Sequence, residues 1–350
     1  MRILVTSDAI GTLSSRQAGQ VLAEGWPGAD LRIVPAGAAG AGFLRAAADA
    51  TGAEPASTAV AGAVVTTAAA LGQAVLLVES TSRPESGLPL DASSAPLGTA
   101  LAALLATGPR RVHIDLAGMA VFDGGAGLLG ALGARADVPL DAGVVGLHGL
   151  SELDLDPVRD LLGSCELVGV VPADELARPL LGLRGITSLY GRPAGLDAGV
   201  LLRTDADLER LAALAGEGLG AAPGAGACGG TGLAVLALGG RLTTGPAASL
   251  DLGGAREVGR PDLVVTGCSV FDFAQRGGEV VAAAAALAAD ALAPCVVIAG
   301  EVLIGSREMR TLGIEAAYPV RESSADAPAG CIEPAELATT ARRVGRSWRW

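Results

Sequence analysis

Short apolar runs and longer helical patterns alternate at the two ends of the chain. A short apolar run between polar residues is typical of a buried strand, and apolar positions three or four apart are typical of an amphipathic helix. Ser14 lies where it could cap the first helix, and an alanine-rich stretch over 279–292 predicts another. This alternation favours a doubly wound parallel sheet. The runs that predict its strands are residues 2–6, 31–35, 262–267 and 295–299.

The middle of the chain has a different pattern. β-Branched residues dominate 58–67, and Gly72 separates them from the apolar run 74–78, which predicts antiparallel strands. Further strands are predicted at 111–116, 143–146 and 165–171, helices at 97–107, 128–134, 205–214 and 333–344, and loops at 82–96 and 322–331.

We therefore predict an α/β protein with two unlike α/β domains and a cleft between them. Residues 1–56 plus 254–350 would form a discontinuous domain with a doubly wound parallel (Rossmann/flavodoxin-like) sheet. Residues 57–253 would form the second domain, with a mixed sheet.

Charge and composition narrow the functional classes. All 25 basic residues are arginines, which excludes a lysine nucleophile, a Schiff base and a P-loop lysine. The net charge of −12 disfavours nucleic-acid binding. Asp290 and Pro294 interrupt the apolar stretch 280–300, so we expect a helix and a strand there and no membrane span. Five scattered cysteines without a CxxC pair favour a reduced, cytoplasmic protein, and two histidines make a histidine metal cage improbable.

A glycine-rich loop gives the strongest local signal. Strand 111–116 is followed by Asp123-Gly124-Gly125, and Gly125, Gly127 and Gly130 form a GxGxxG pattern before a helix. Backbone N–H groups in such a loop favour a phosphate or carboxylate. A tight turn with close packing and a dinucleotide site remain alternatives, although no acidic residue ends strand 143–146 as a dinucleotide site would require. A second GxGxxG pattern spans 224–229.

Four carboxylates follow predicted strands closely. They are Asp8, Glu79, Asp123 and Asp272. Ligands of open α/β sheets bind beyond the carboxyl ends of the strands, so these residues are candidates for a site. Each could instead be a turn or cap residue.

A set of motifs occurs in a fixed order along nearly the whole chain. They are Asp8 with Leu13-Ser14, residues 35–42, Ser86-Gly87-Leu88-Pro89, residues 123–127, residues 223–227, residues 262–267, Ile298-Ala299-Gly300 and Leu312-Gly313-Ile314. This set resembles the glycerate kinase family of bacteria, the type with two unlike α/β domains.

The resemblance implies ATP-dependent phosphorylation of glycerate to a phosphoglycerate, with Mg²⁺. It also implies a small hydroxy acid as the partner. In a kinase of this type Asp123 or Asp272 would orient the glycerate hydroxyl or hold Mg²⁺, and the glycine loops would bind phosphates, but the metal ligands are not assigned. The residues that it implies as catalytic are Asp8, Asp123, Asp272 and Arg184. Those that it implies in substrate or ATP binding are Glu79, Gly124, Gly125, Gly226, Gly229, Gly230 and Gly267.

Several charged residues of the family pattern are missing. No lysine follows Asp8, and the family's Asp-Gly-Gly-Glu-Gly loop is replaced by residues 38–42, which carry neither acid. Gly-Glu-Gly-Arg is replaced by residues 267–270, and His-Gly-Lys by Arg276-Gly277-Gly278. Phosphoryl transfer depends on cations that neutralise developing charge. In matching segments only Arg184, Arg192 and Arg276, or a bound metal, could supply them.

Two functions therefore remain open. One is a glycerate kinase, and the alternative is a catalytically impaired family member that acts as a small-molecule binding or regulatory protein. We also leave a homo-oligomer open. His113 is predicted to be a packed core residue, and the arginine- and tryptophan-rich segment 342–350 is either a solvated helix end or a docking tail.

Overall fold

The computed structural model describes residues 1–60, 63–81, 87–257, 259–321 and 332–349. Four features of the sequence lie outside these ranges: Ser86 with part of the predicted loop 82–96, the predicted loop 322–331, Cys331 and Trp350.

Thirteen strands and eleven α-helices are assigned in these ranges. The strands are β1 (Arg2–Val5), β2 (Asp30–Ile33), β3 (Ala56–Val60), β4 (Ala63–Ala70), β5 (Gln73–Ser80), β6 (Arg111–Asp115), β7 (Arg135–Ala136), β8 (Leu153–Asp154), β9 (Glu166–Val171), β10 (Arg241–Thr244), β11 (Leu263–Asp272), β12 (Cys295–Leu303) and β13 (Ala316–Pro319). The helices are α1 (Ser15–Ala23), α2 (Ala41–Thr51), α3 (Ala95–Leu105), α4 (Ala126–Ala131), α5 (Asp156–Leu162), α6 (Ala198–Ala215), α7 (Thr231–Ala237), α8 (Gly245–Leu252), α9 (Gly278–Asp290), α10 (Ser306–Thr311) and α11 (Pro334–Ser347). Within the described ranges, no helix combines the length and the hydrophobicity needed to cross a bilayer.

The chain divides into two compact units. Unit 1 comprises Met1–Gly52 and Gly245–Trp350, and unit 2 comprises Ala53–Thr244. The sequence placed the second boundary at 253/254, which leaves α8 in the other domain. In the structure α8 packs against α2 and belongs to unit 1.

Unit 1 is built on a five-stranded parallel sheet in the order β13-β12-β11-β1-β2. Counted along this unit the order is 2-1-3-4-5, which is the flavodoxin-like doubly wound arrangement. This confirms the predicted fold class of this part. The first helix begins as predicted, because Ser14 accepts the Gln17 N–H and the Gln17 side chain accepts the Ser14 N–H.

Side chains alternate between the two faces of this sheet. Ile3 and Val5 pack with α1 and α11 on one face, whereas Leu4 packs with α8 and α9 on the other. Because helices cover both faces, the strands read as continuous apolar runs with no polar alternation. That is the pattern from which they were predicted.

Unit 2 contains a six-stranded mixed sheet in the order β10-β9-β6-β5-β4-β3. The strands β10, β9, β6 and β5 are parallel, and β4 and β3 continue the sheet antiparallel, as predicted. Leu71 and Gly72 connect β4 to β5 with φ of 55° and 79°. A two-residue hairpin turn with both central φ angles positive matches the right-handed twist of the strands. His113 is fully buried in β6, as predicted.

The predicted strand at 143–146 is wrong. Val144–Leu147 form one 3₁₀ turn, which starts after Gly143 at φ 69°. The N–H of Val145 donates to the carbonyl oxygen of Leu90, and Val144 and Leu147 are buried. A short apolar run is equally compatible with a buried turn, and the left-handed glycine at its start decides between them.

The C-terminal segment packs against unit 1 itself. The Nε1–H of Trp348 donates to the Tyr318 hydroxyl at 2.9 Å, and the Nε1–H of Trp26 donates to the Trp348 carbonyl oxygen at 3.3 Å. Arg342 pairs with Glu24 of the segment after α1. Trp348 is therefore anchored on unit 1, whereas the arginine side chains of the segment are exposed, and a docking role for them stays a prediction.

Candidate functional site

Two aspartates follow neighbouring parallel strands in unit 1. Asp8 comes three residues after the end of β1, and Asp272 is the last residue of β11, which pairs with β1. Both are half-buried. The strand after β1 in the chain, β2, lies on one side of β1, and the strands β11 and β12 follow on its other side, so the strand order reverses between β1 and β11. Such a reversal is where open α/β sheets bind their ligands, so the structure puts both predicted residues at the expected edge.

The negative charges of both carboxylates affect one buried thiol, that of Cys268. Burial raises the pKa of Cys268 to about 12, and the negative charges of Asp8 and Asp272 add to the shift. Asp8 and Asp272 therefore both act electrostatically on the buried thiol of Cys268.

Gly267 holds Asp8 in place. Its carbonyl oxygen accepts the N–H of Asp8 at 3.0 Å and the hydroxyl of Ser7 at 3.2 Å. A Cβ atom on Gly267 would lie 2.7 Å from the carbonyl oxygen of Ile298, on the next strand. Only glycine permits this approach. The structure thus gives Gly267 a supporting role, and its contact with a ligand stays a prediction.

The carboxyl group of Asp8 is partly buried and accepts a hydrogen bond from the backbone. Burial raises the pKa of its carboxyl group, and the N–H of Ala9, which donates to Oδ1 at 2.7 Å, partly offsets the effect. Among the described residues neither Asp8 nor Asp272 forms an ion pair. The Oδ1 of Asp272 accepts the N–H of Gln275 at 2.7 Å.

In unit 2 the N–H groups of the predicted anion-binding loop donate to the carboxylate of Asp123, a residue of the same loop. Asp123 is fully buried, and its two oxygens accept the N–H groups of Gly125 and Gly127 and both the N–H and the hydroxyl of Ser94. These distances lie between 2.7 and 3.1 Å. The Ser94 hydroxyl also accepts the N–H of Leu128 at 2.9 Å. The donors expected to meet a ligand are therefore already used within the loop.

Burial raises the pKa of Asp123, and the donors from Ser94, Gly125 and Gly127 act in the opposite direction. A carboxylate held by four hydrogen bonds inside the protein positions the start of α4 and exposes no oxygen. This geometry favours the tight-turn alternative that the sequence left open.

The two glycine loops pack directly on each other. The N–H of Gly124 donates to the carbonyl oxygen of Gly229 at 3.1 Å, and a Cβ on Gly230 would lie 2.6 Å from the Cα of Gly124. A Cβ on Gly229 would overlap the carbonyl oxygen of Val121. Gly124, Gly229 and Gly230 all have φ between 69° and 87°. Close backbone approach thus explains these glycines.

Of the other predicted residues of unit 2, Glu79 and Arg184 are exposed and Gly226 is buried. Glu79 is exposed near the end of β5. Arg184 is exposed and, with Arg178 and Arg192, lines a cavity of about 560 Å³. Gly226 supports this cavity from behind, because its N–H donates to the carbonyl oxygen of Arg178 at 3.0 Å.

Ser94 and Arg178 are functional candidates that the sequence did not single out. A serine two residues before a proline at a helix start is a recognisable cap signal, but its pairing with Asp123, 29 residues away, is not. Three arginines within residues 178–192 of a lysine-free chain were the available signal for the cavity.

A family model described as "Glycerate kinase family" matches residues 3–349. This chain belongs to the glycerate kinase family. A glycerate kinase of Bacillus subtilis (strain 168) is 27% identical over 353 residues, which covers 91% of this chain and 90% of the relative. An uncharacterized protein of Mycobacterium tuberculosis (strain CDC 1551 / Oshkosh) is 31% identical, with 92% of this chain and 84% of the relative covered. The solved structure "Crystal structure of putative glycerate kinase 2 from Salmonella typhimurium LT2" matches with a TM-score of 0.80 and 25% identity, over 99% of this chain and 98% of that one.

For a member of the glycerate kinase family, the groups that could bind a metal ion or phosphates are of particular interest. In the described part of the chain no three histidine, cysteine, aspartate or glutamate side chains are grouped as a metal cage. The cationic groups near the predicted residues are arginines: Arg276 follows Asp272 in unit 1, and Arg184 and Arg192 lie in unit 2.

Proposed function

We propose that this member of the glycerate kinase family phosphorylates glycerate, or a similar small hydroxy acid, with ATP and Mg²⁺. The observation that carries the proposal is the position of Asp8 and Asp272 after the neighbouring strands β1 and β11, where the order of a flavodoxin-like sheet reverses. Family membership supplies the reaction class. A cytoplasmic location follows as part of the proposal, because the reaction uses ATP and the cysteine pattern favours a reducing compartment.

The donor groups fit Mg²⁺. This ion prefers carboxylate oxygens and is usually held by one or two carboxylates together with substrate phosphates. Asp8 and Asp272 offer two half-buried carboxylates that no arginine neutralises among the described residues. We propose Asp272 as the main protein ligand. When bound, Mg²⁺ would neutralise negative charge on the phosphates.

The segment after Asp272 suits the phosphates themselves. Gly277 and Gly278, with φ of 75° and 84°, lead into the 13 residues of α9. The N-terminus of a helix favours an anion through its free N–H groups and its dipole. A Cβ on Gly278 would lie 3.9 Å from Oδ2 of Asp8, so α9 begins beside this carboxylate.

Asp8 would accept the proton of the attacking glycerate hydroxyl. A general base works best when its pKa lies near the operating pH, and burial shifts the pKa of Asp8 in that direction. The base must be ionised, so the rate should fall as the pH drops through this raised pKa. The fall should begin at a higher pH than an ordinary aspartate would give.

Arginines replace the lysines of the family pattern in this proposal. Arg184 and Arg192 present guanidinium groups that bind a carboxylate or phosphate in a bidentate manner. Asp123 acts by positioning the loop at 123–127 and touches no substrate. Glu79 stays a candidate for substrate contact because it is exposed.

The test is ADP release from ATP, Mg²⁺ and D-glycerate by the purified protein. We compare wild type with Asp8→Asn, Asp272→Asn and a matched control, Asp290→Asn, which changes an exposed aspartate of the same unit. We expect turnover in wild type and control. Asp8→Asn should lower kcat by about 10²-fold or more with little change in the KM for ATP. Asp272→Asn should raise the Mg²⁺ concentration needed for half-maximal rate.

Absence of turnover in the wild type, with ATP or glycerate still bound, would favour the alternative of a binding or regulatory protein. No described feature favours that alternative at present. Equal turnover in wild type and both site variants would exclude Asp8 and Asp272 as the reacting residues.

A further inference from the structure

A cavity of about 410 Å³ lies directly beyond the carboxyl ends of β11 and β12 in unit 1. Asp272 pairs with Leu303 at the end of these parallel strands, so the residues that follow, Phe273 and Ile304, enter the cavity from adjacent positions. Cavities of about 300–1,000 Å³ hold cofactor-sized ligands. A three-carbon acid would leave most of this space empty.

Phe273 is the exceptional phenylalanine of the chain. Its side chain is 62% exposed, whereas Phe43, Phe122 and Phe271 are each at most 1% exposed. A protein with so few aromatic residues would be expected to bury this ring as well. An exposed ring at the rim of a cavity offers a stacking surface for a planar, aromatic ligand.

Two arginines give the same cavity an anionic preference. Arg276 and Arg307 line it, and neither forms an ion pair within the described part of the chain. The one carboxylate in the lining, Glu308, is engaged in the helix cap, where it accepts the N–H of Gly305 at 3.2 Å. Arg276 has a φ of 53°, an uncommon backbone conformation for a residue other than glycine. Such conformations are concentrated at ligand-binding sites.

We propose that this cavity binds the nucleoside triphosphate, with the base stacked on Phe273 and the phosphates bound by Arg276 and Arg307. The inference rests on the proposed function, because it names the site of the phosphoryl donor. It is consistent with the aspartate pair, since Asp272 immediately precedes Phe273 in the chain. Phe273 lies between two segments that depart from the family pattern, residues 267–270 and 276–278.

The experiment measures equilibrium binding of three probes by titration calorimetry: ATP, inorganic triphosphate and adenosine. The variants are Phe273→Ala and the double variant Arg276→Gln/Arg307→Gln. Leu292→Ala and Arg310→Gln are matched controls, because Leu292 is 80% exposed and Arg310 lies on α10 outside the cavity lining.

Phe273→Ala should weaken ATP and adenosine by about fivefold to 150-fold and leave triphosphate unchanged. The double arginine variant should weaken ATP and triphosphate by about tenfold or more and leave adenosine unchanged. Both controls should bind like wild type. In turnover assays Phe273→Ala should raise the KM for ATP and leave the KM for glycerate unchanged.

Unchanged ATP affinity in both site variants would overturn the inference, and so would an absence of ATP binding by the wild-type protein. Displacement of ATP by glycerate at similar concentrations would also overturn it, because the cavity would then be the acid site. ATP binding that depends on Phe273, without any turnover of glycerate, would support the inference and contradict the proposed function. Turnover of glycerate with ATP that is unchanged in Phe273→Ala and in the double arginine variant would support the proposed function and contradict the inference.

Discussion

The close packing of the two glycine loops can be tested by adding a single Cβ atom at Gly229. Gly229 has φ 70°, and a Cβ there would overlap the carbonyl oxygen of Val121. Gly239 is a matched control in the same unit: its φ is 77°, and a Cβ there would meet nothing within 4 Å. Gly229→Ala and Gly239→Ala therefore share the conformational cost and differ in the steric one.

The magnitudes separate the two variants. An alanine in the left-handed region costs about 1–2 kcal/mol of unfolding free energy, and this is all that we expect for Gly239→Ala. Gly229→Ala should lose a further 1–3 kcal/mol or so from overpacking. Moving the backbone at Val121 would also break the 3.1 Å hydrogen bond from Gly124 to Gly229, which is worth about 1 kcal/mol. We expect a difference of about 2–4 kcal/mol between the variants.

Urea unfolding followed by two signals makes the assay specific for unit 2. All three tryptophans lie outside residues 53–244, so tryptophan fluorescence reports on unit 1, whereas far-ultraviolet circular dichroism reports on both units. Gly229→Ala should shift the circular dichroism transition to lower urea more than Gly239→Ala does. Equal shifts for the two variants would refute the close-approach explanation of this glycine.

Three further predictions concern single side chains. Asp123→Asn should lower the unfolding free energy by about 3 kcal/mol at pH 7, because the amide NH₂ group then faces N–H and O–H donors that had bound a carboxylate. Urea titration measures this loss. A loss below about 1 kcal/mol would contradict the hydrogen bonds from Ser94, Gly125 and Gly127 to this side chain. Hydrogen bonds from Ser151 lower the pKa of Asp137 to about 2, so its ionised form stabilises the fold above pH 4 and loses that effect as the pH falls towards 2. Asp137→Asn should therefore lower the melting temperature at pH 7 and have a diminishing effect near pH 2, and a pH-independent difference would exclude this linkage. Trp348→Ala should destabilise unit 1 by about 2 kcal/mol, and Trp348→Phe by about 1 kcal/mol because it loses the hydrogen bond to Tyr318. Urea unfolding followed by the fluorescence of Trp26 measures both effects. An unaltered urea midpoint would show that Trp348 contributes no stability.

The fold was predictable because its signals are local. Apolar runs gave the parallel strands, and Ser14 gave the start of α1. The failure at 143–146 arose because apolar periodicity over four residues does not distinguish a strand from a buried turn. Helix α6 begins at Ala198, seven residues before its amphipathic pattern is clear, because Asp197 caps it.

The site was predictable only in part, for a similar reason. Asp8 and Asp272 could be placed at the sheet edge because position after a strand fixes that location, and their roles stay predictions. The role of Asp123 was not, because its hydrogen bonds to Ser94 join segments that no periodicity connects. Phe273 was not selected from the sequence because a lone exposed aromatic residue has no signature there.

The position of β1 in its sheet has a consequence for synthesis of the protein. β1 lies between β2 and β11, and Ile3 pairs with Leu263, so the centre of unit 1 needs residues from both parts of the chain. Unit 2 is continuous from Ala53 to Thr244 and has every strand of its sheet before β11 leaves the ribosome. Domains usually fold as units during translation, the earlier part first. Here the order should be inverted: the residues made first wait, with β1 and β2 lacking their central neighbour, until the inserted unit has been completed. Nascent chains that end before β11 and β12 should therefore contain a folded unit 2 and an unfolded N-terminal part of unit 1, and chaperones should bind that part until both strands have been made.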